Sequence, residues 1–220
     1  SSQYLLSLLN NIMDMSKIES SKYEINTKPF DISVVLDEVY SVFSATMSTK
    51  GVKFIINTDG LNAPNVLGDE LSLRKILNNL LSNANKFTKA GGSVTLIASQ
   101  RLMSEKSSML HLEVSDTGVG ISEDFIGHLF EPYTQEQSAN GGRAAGSGLG
   151  MAICKSMIDL QGGTISVKSK LGAGTTFFVD IPYLIGTASV RDTASVDCSA
   201  INRRRIMVVD DVAINTTITC

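Results

Sequence analysis

The first apolar pattern along the chain is a helical stripe in residues 1–21. Its members recur at spacings of three and four positions, and they are Leu5, Leu8, Ile12 and Met15, widened by Leu6, Leu9 and Met13. A stripe of this width predicts a helix that packs either on a partner helix or on its own domain. The repeat is already under way at residue 1, which predicts that the helix continues upstream.

Strand-like and helix-like patterns alternate over the next hundred residues. Strands are predicted over 23–26, 52–57, 93–102 and 109–115, and helices over about 33–50 and 68–87. Asp31 or Ser33 suits the N-cap of the first of these helices, and Gly51 suits its C-terminal end. The last two strands flank a polar loop, which is typical of an antiparallel hairpin.

The remaining pattern predicts the rest of the fold. Residues 116–150 are rich in glycine, and 136–147 lack an apolar anchor, so we expect a mobile loop there. A helix over 149–160 and strands over 164–169 and 175–181 complete the core. The order of elements predicts an α/β fold, a two-layer sandwich whose mixed sheet is covered by helices on one face and preceded by the helix of residues 1–21.

Two short segments follow the predicted core. Residues 184–202 are rich in Ser, Thr and Ala, which predicts a linker between 22–183 and what comes next. Residues 203–220 start with three arginines, an apolar run and the acidic pair Asp210 and Asp211. This sequence predicts the first strand of a further domain.

Composition and charge narrow the class of protein. The chain has 220 residues, of which 43% are hydrophobic and 19% charged, as in ordinary globular proteins. A net charge of -3 argues against a nucleic-acid partner, and no apolar run approaches the roughly 20 residues that span a bilayer, so we expect no membrane contact by this segment. Three scattered Cys and two His indicate neither a disulfide framework nor a zinc site. A reduced, cytoplasmic setting is expected.

Polar residues gather on one face of the helix predicted over 68–87. Asn79 and Asn83 are four positions apart, and Lys86 follows three positions later, so all three project from the same side. Two amide oxygens and a cation suit hydrated Mg²⁺ with a polyphosphate, because Mg²⁺ prefers oxygen ligands. The alternative is an exposed helix face whose asparagines are simply solvated.

Three glycine-rich motifs follow in order. Asp116-Thr-Gly118-Val-Gly120-Ile121 places a carboxylate at a strand end, where it suits an exocyclic amino group such as that of adenine; the alternative is a tight turn. Gly146-Ser147-Gly148-Leu149-Gly150 opens a helix and suits a phosphate cradle rather than mere flexibility. Its spacing fits neither a Walker A loop nor a dinucleotide fingerprint. Gly172-Ala-Gly174-Thr175 is either a hairpin turn or the floor of the same pocket.

Together, and in this order, these motifs resemble the boxes of the histidine-kinase branch of the ATPase superfamily shared with gyrase, a heat-shock chaperone and a mismatch-repair protein. Residues 69–88 are similar to its N box, 116–121 to its first G box, 130–133 to its F box, 146–150 to its second G box and 172–177 to its third. The resemblance implies the Bergerat ATP-binding fold. It also implies that residues 1–21 are the second helix of a dimerisation and phosphotransfer hairpin, and that 203–220 begin a receiver domain.

The resemblance implies roles for individual residues. Asn79 and Asn83 hold Mg²⁺ against the phosphates with Lys86 close by, and the Phe87 ring packs on the adenine or ribose. Asp116 accepts from the adenine amino group with support from Thr175, and Gly118, Gly120 and Ile121 shape the loop around the base. The backbone of Gly146, Ser147, Gly148, Leu149 and Gly150 receives the phosphates. Arg143, in the loop over 136–147, either neutralises charge on the γ-phosphate or is an exposed surface charge.

One position separates the branches of this superfamily. Gyrase-like members carry a Glu one helical turn before the metal-binding Asn, where it activates water, and here that position holds Asn79. An Asn cannot act as a general base at neutral pH, so we expect ATP to be kept for transfer to a histidine rather than hydrolysed. The acceptor His is expected upstream, because His111 falls in a predicted strand and His128 lies between a short helix and the F box.

Three hypotheses about function therefore remain. The first is a protein histidine kinase module that uses ATP and Mg²⁺, forms a homodimer through the hairpin helix and works with a receiver domain. The second is a nucleotide-binding pseudokinase module without catalysis. The third is a conformational ATPase of the gyrase or chaperone kind. The absence of the Glu that activates water in those proteins argues against it.

Overall fold

The computed structural model describes residues 2–20, 22–135 and 147–186. The chain divides into two units, Ser1–Ala188 and Ser189–Cys220, and the second unit lies outside the described residues. The helices are α1 (Ser2–Glu19), α2 (Ile32–Lys50), α3 (Glu70–Phe87), α4 (Glu123–Ile126) and α5 (Gly150–Leu160). The strands are β1 (Lys28–Asp31), β2 (Lys53–Gly60), β3 (Asn65–Gly68), β4 (Ser93–Ser104), β5 (Ser107–Asp116), β6 (Thr164–Lys170) and β7 (Gly174–Ile185).

The strands form one mixed sheet in the order β1-β3-β7-β5-β4-β2, with β6 also paired to β7. β2 and β4 run parallel, and the other pairs are antiparallel. The long strand β7 pairs with β5 along one side, and on its other side with β6 first and then with β3. This arrangement confirms the predicted mixed sheet and the predicted β4–β5 hairpin.

One face of the sheet carries the core. Buried and half-buried positions alternate along the central strands, as expected of a sheet with one covered face. The buried positions are Val94, Leu96 and Ala98 on β4, Leu110, Leu112 and Val114 on β5, and Phe177, Val179 and Ile181 on β7. α2, α3 and α5 pack against the strands and against one another, which confirms the two-layer sandwich.

α3 is the central helix of this layer. Its apolar stripe is completely buried and consists of Leu73, Ile76, Leu77, Leu80 and Leu81. Burying each of these side chains contributes about 1.5–3 kcal/mol. Asp69 caps the helix by accepting a hydrogen bond from the Ser72 backbone N–H at 3.0 Å. The opposite, polar side of α3 is therefore held in a fixed orientation.

The strand predicted over 23–26 is wrong, because residues 22–27 are irregular and β1 starts at Lys28. Side-chain contacts with the start of α3 replace strand pairing here. The Tyr23 hydroxyl lies 3.2 Å from Ser72 Oγ, and the Asn26 N–H donates to Asp69 Oδ2 at 3.1 Å. β3 lies in a stretch for which no strand was predicted, because four residues are too few for a visible alternation.

Strand ends also differ from the prediction. β7 continues to Ile185, past its predicted end at 181 and past the predicted linker start at 184. The Ile185 N–H donates to the Lys106 carbonyl and the Gly186 N–H to the Asn65 carbonyl, both at 2.9 Å, so backbone pairing extends beyond the apolar pattern. The rest of the predicted linker, and the acidic pair in 203–220, lie outside the described residues.

α1 confirms the first predicted helix. One side of it packs on its own domain, and another side is exposed. Met15 is buried, Ile18 packs on the core, and Asp14 forms an ion pair with Lys75 of α3 at 2.7 Å. The stripe formed by Leu6, Leu9, Ile12 and Met13 stays exposed. None of the helices in the described ranges has the length and apolar character needed to cross a membrane.

Candidate nucleotide site

Asn79 and Asn83 lie half-buried on the side of α3 that faces α5. Asn83 Nδ2 donates to Met151 Sδ at 3.3 Å, and the Asn79 side chain hydrogen-bonds Cys154. A Cβ on Gly150 would lie 2.8 Å from Asn79 Oδ1. The structure therefore brings both predicted metal ligands against the first turns of α5, and the close approach explains the glycine at 150.

Cys154 lies below this contact and is completely buried. Its Sγ donates weakly to the Ile76 carbonyl at 4.0 Å. Burial raises the pKa of the Cys154 thiol to about 12, and the hydrogen bond from Asn79 opposes that shift. The group is thus a neutral thiol at physiological pH.

The segment before α5 forms a tight loop. Gly148 has a φ of 70°, and a Cβ there would meet the Thr134 carbonyl oxygen at 2.8 Å. The Tyr133 N–H donates to the Gly148 carbonyl at 3.0 Å, so the F box contacts this loop directly. Ser147 Oγ accepts from the Leu149 N–H at 3.3 Å. A phosphate bound by the Leu149 N–H would replace that hydroxyl.

Asp116 ends β5 as a buried carboxylate beside the C-terminus of α3. The Gly118 N–H donates to Asp116 Oδ1 at 2.8 Å, and the backbone of Thr175 also hydrogen-bonds the carboxylate. Burial raises the pKa of Asp116, and the two backbone hydrogen bonds oppose the shift without cancelling it. A Cβ on Gly118 would lie 2.7 Å from the Phe87 carbonyl oxygen, so the loop needs glycine to pack on α3.

The third glycine motif supports this loop from the other side. The Gly172 N–H donates to the Val119 carbonyl at 2.7 Å, and Gly120, with a φ of 71°, packs on the Lys170 carbonyl. Ser169 Oγ accepts from the Ile121 N–H at 2.8 Å and donates to the Gly174 carbonyl at 2.9 Å. The motif is thus the turn of the β6–β7 hairpin, as one of the two alternatives predicted, and it packs under the Asp116 loop; its role as a pocket floor stays a prediction.

Thr175 is the strand partner of Asp116 in the β5–β7 register. Its hydroxyl lies 2.9 Å from Ser169 Oγ, and that serine already donates elsewhere, so Thr175 is the donor. Thr175 supports the Asp116 carboxylate through its backbone. Ser169 was missed, although it lies opposite Thr175 in the predicted hairpin and could have been found from that pairing.

Lys86 and Phe87 form the end of α3. The Lys86 ammonium lies 4.5 Å from the centroid of the Phe87 ring, and partial desolvation lowers the pKa of Lys86. The Phe87 ring is exposed, and its backbone carbonyl accepts from the Val119 N–H at 3.3 Å. The Phe87 residue that carries this ring, and the Lys86 cation beside it, are therefore next to the Asp116 loop.

Several predicted residues fall elsewhere. Gly146 and Arg143 lie outside the described residues, as does most of the loop predicted over 136–147. His111 lies in β5 with its Nδ1 2.8 Å from Asp180 Oδ1, and His128 Nδ1 lies 3.0 Å from Glu131 Oε1. Both histidines thus pair with surface carboxylates.

The donor set fits Mg²⁺ better than a transition metal. In the described ranges, no three His, Cys, Asp or Glu side chains gather in a way that would hold an ion. The groups beside α5 are instead two carboxamides one helical turn apart, which offer hard oxygen atoms. Mg²⁺ takes few protein oxygens and keeps waters and substrate phosphates as its other ligands.

Residues 68–185 match the family described as histidine kinase-, DNA gyrase B-, and HSP90-like ATPases. The matched stretch is more than half of the chain and includes α3, the Asp116 loop and α5. The chain belongs to this family. Within it, the chain is homologous to sensor histidine kinases and carries their type of ATPase domain, which confirms the resemblance drawn from the motifs.

Two curated relatives illustrate this kinship. The chain is 36% identical over 182 residues to the autoinducer 2 sensor kinase/phosphatase LuxQ of Vibrio parahaemolyticus serotype O3:K6 (strain RIMD 2210633), a match covering 83% of this chain and 21% of that protein. It is 30% identical over 218 residues to the signal transduction histidine-protein kinase BarA of Escherichia coli (strain K12), covering 99% of this chain and 24% of that protein. The chain thus spans about a quarter or less of these relatives.

Solved structures show the same fold. Full-length ShkA in complex with AMPPNP matches with a TM-score of 0.71 at 31% identity, covering 84% of this chain and 37% of that chain. The catalytic domain of histidine kinase ThkA matches with a TM-score of 0.59 at 24% identity, covering 71% of this chain and 95% of that chain. The second likeness concerns the fold alone. Together they confirm the Bergerat-type sandwich.

Proposed function

We propose that this chain binds ATP with Mg²⁺ and donates the γ-phosphoryl group to a histidine on the hairpin helix upstream of residue 1. The observation that carries this proposal is the arrangement around α3. Its middle places Asn79 and Asn83 against the start of α5, and its end contacts the loop of Asp116. One helix thus joins a metal-ligand pair, an anion-binding helix start and a buried carboxylate.

The adenine end of ATP is assigned to the Asp116 loop. The carboxylate accepts a hydrogen bond from the adenine amino group, and Gly118, Gly120 and Ile121 bring the backbone close to the flat base. Phe87 covers the base or ribose. Support for this assignment comes from the burial of Asp116: a base that covers the carboxylate excludes water from it, so the base must offer a donor to the lone pairs that Gly118 and Thr175 leave free.

The triphosphate end is assigned to the start of α5. Backbone N–H groups of residues 146–150 and the helix macrodipole favour anions there. Asn79 and Asn83 would hold Mg²⁺ through their amide oxygens, with Lys86 nearby. Bound Mg²⁺ supplies charge neutralisation for the phosphates. Arg143 remains a candidate for neutralising charge on the γ-phosphate.

Transfer to histidine is favoured over hydrolysis by the residue at position 79. No carboxylate occupies the helical turn before Asn83, so that turn offers no general base for water. In the transfer, a nitrogen of the acceptor imidazole forms a bond to the γ-phosphorus while the bond to the β,γ-bridging oxygen breaks. ADP leaves with the electron pair, and the imidazole loses its proton to a neighbouring base.

The flanking segments are assigned on the same basis. The exposed apolar stripe of α1 supports the assignment of residues 1–21 to the second helix of a dimerisation hairpin, through which the protein would form a homodimer. The catalytic domain starts at residue 22 and includes all of β7, the residues after β7 up to 202 are the linker, and 203–220 are the start of a receiver domain that would accept the phosphoryl group in a two-component phosphorelay. The receiver assignment rests on Asp210 and Asp211 in the sequence.

The test is transfer of radiolabelled γ-phosphate from ATP to a separately supplied hairpin that carries a histidine. We expect Mg²⁺-dependent labelling of the hairpin, lost in the Asn83→Ala variant. Tight nucleotide binding without labelling would instead support the pseudokinase hypothesis. Steady release of free phosphate without any acceptor would support the conformational ATPase.

A further inference from the structure

Two sulfur atoms on α5 lie against the two asparagines of α3. Met151 and Cys154 are three positions apart, so they share one face of α5. Asn83 Nδ2 lies 3.3 Å from Met151 Sδ, and the Asn79 side chain is hydrogen-bonded to Cys154. Each predicted metal ligand thus has its own sulfur partner.

In these pairs the carboxamide of the asparagine acts as the hydrogen-bond donor and the sulfur as the acceptor. A carboxamide has a donor end, the NH₂ group, and an acceptor end, the carbonyl oxygen, whereas a thioether sulfur is an acceptor without a proton to give. Met151 can therefore receive the NH₂ group of Asn83 but not its oxygen. The Cys154 thiol directs its proton at the Ile76 carbonyl, which leaves the sulfur lone pairs for Asn79.

We propose that Met151 and Cys154 are positioning residues that fix the donor ends of Asn83 and Asn79, so that both carbonyl oxygens stay available to a metal ion beside the triphosphate. This inference rests on the proposed function. Gly150 completes the arrangement, because its missing Cβ leaves room for Asn79 Oδ1. α5 then has two tasks: its N-terminus faces the phosphates, and its next turn orients the metal ligands.

A purely apolar role for the two sulfurs predicts a different response to mutation. Met151 and Cys154 are 8% and 0% exposed, as core residues are. If packing alone mattered, leucine at position 151 would serve as well as methionine, since Leu and Met have similar volumes. If sulfur orients Asn83, leucine removes the acceptor and frees the carboxamide to rotate.

The first experiment uses the unliganded protein and reads the side-chain NH₂ resonances of the two asparagines in a ¹⁵N–¹H spectrum. We expect Met151→Leu to shift the NH₂ resonances of Asn83, and Cys154→Ala those of Asn79. Cys154→Ser keeps a hydrogen-bond acceptor at position 154, so the NH₂ resonances of Asn79 should stay close to those of the wild type. Met157→Leu is the matched control, because Met157 is a buried methionine on the same helix.

The second experiment measures the affinity of the ATP complex for Mg²⁺ by titrating the metal at saturating ATP. We expect Met151→Leu and Cys154→Ala to weaken Mg²⁺ binding about ten-fold, as loss of outer-shell partners does in metal sites. ATP binding without Mg²⁺ should be unchanged in both. Cys154→Ser and Met157→Leu should bind Mg²⁺ like the wild type.

Unchanged Asn83 resonances together with unchanged Mg²⁺ affinity in Met151→Leu would overturn the inference. Because that substitution nearly conserves volume, it decides the question even if Cys154→Ala does not fold. Failure of the wild type to bind ATP in a Mg²⁺-dependent way would refute the proposed function instead. The resonances of the unliganded protein still test the sulfur contacts in that case.

Discussion

Replacing Gly150 by alanine perturbs the Asn79 side chain without displacing the backbone of a neighbouring element. The new Cβ would lie 2.8 Å from Asn79 Oδ1 and 3.5 Å from Asn79 Cγ, and no backbone atom outside the adjoining part of α5 lies within 4 Å in the described residues. The obstacle is the end of a side chain, so Asn79 moves and the helices do not. α5 starts at Gly150 with ordinary helical geometry, which alanine adopts readily.

The structure sets the magnitude of both effects. Contacts between carbon and oxygen normally begin near ~3.3 Å, so Asn79 Oδ1 must move by roughly half an ångström. Misplacement by about 1 Å can cost 100-fold in a reacting geometry, which predicts an approximately ten-fold loss in Mg²⁺-dependent transfer for half that shift. The fold should gain stability, because alanine in a helix is favoured over glycine by about 0.5–1 kcal/mol. That gain raises the melting temperature by about 1–4 °C in a domain of this size.

The assay combines thermal unfolding with phosphotransfer to the separately supplied hairpin. Gly127→Ala is the matched control, because Gly127 also has helical geometry and no atom lies within 4 Å of its added Cβ. We expect Gly127→Ala to transfer phosphate like the wild type. A Gly150→Ala protein that keeps full transfer would refute the assigned role of Asn79, and one that unfolds at lower temperature would refute the packing described here.

Three further predictions concern the Asp116 loop and its support. Because burial raises the pKa of Asp116 above its ordinary value of 3.8, ATP affinity should fall on acidification at a higher pH than an exposed aspartate would allow. In the Asp116→Asn variant, titrations at a series of pH values should not show this loss of ATP affinity. Because the variant has no desolvated charge at position 116, it should be no less stable than the wild type without ligand at pH 7. Gly174→Ala should lower the free energy of unfolding by roughly 3 kcal/mol or more in a denaturant titration, because φ at Gly174 is 95° and the new Cβ would lie 2.0 Å from a backbone oxygen. Gly172→Ala is the matched control: its Cβ would enter open space, so the loss should be only about 1 kcal/mol. Ser169→Ala removes one acceptor and one donor under the loop and should cost about 1–3 kcal/mol in the same assay, while Ser166→Ala on the exposed face of β6 should be neutral. Equal losses in either matched pair would contradict the contacts assigned to the first member.

The sequence predicted the elements that have long periodic patterns. α2 and α3 start within a residue or two of their predicted positions, because Asp31 and Asp69 are local caps that can be recognised without tertiary information. The β4–β5 hairpin was predicted from two strand-like segments that flank a polar loop, and each strand alternates because one of its faces is covered. These features depend on residues near one another in the chain.

Short elements that depend on distant partners escaped prediction. β3 has four residues and owes its conformation to backbone pairing with β1 and β7, which no local pattern records. The irregular segment at 22–27 resembles a strand by composition. Its conformation is set by contacts with Asp69 and Ser72, more than forty positions away along the chain.

The candidate site divides in the same way. The asparagine pair and Asp116 were found because each stands out by residue type and spacing. The roles of Met151, Cys154 and Ser169 were not found, because Met and Cys on an apolar helix face look like core and a serine in a strand has no distinctive signal. Their contacts become visible only when α5 packs on α3 and when β6 pairs with β7.

The most direct test of the account is a calorimetric titration of ATP and of GTP, each with Mg²⁺, into the same protein. The central claim is that the buried Asp116 carboxylate selects the amino group of adenine, whereas guanine presents an oxygen at that position. An unpaired buried acceptor costs about 1–3 kcal/mol, so ATP should bind roughly 10- to 100-fold more tightly than GTP. Asp116→Ala should abolish the difference. Equal binding of ATP and GTP by the wild-type protein would contradict the account.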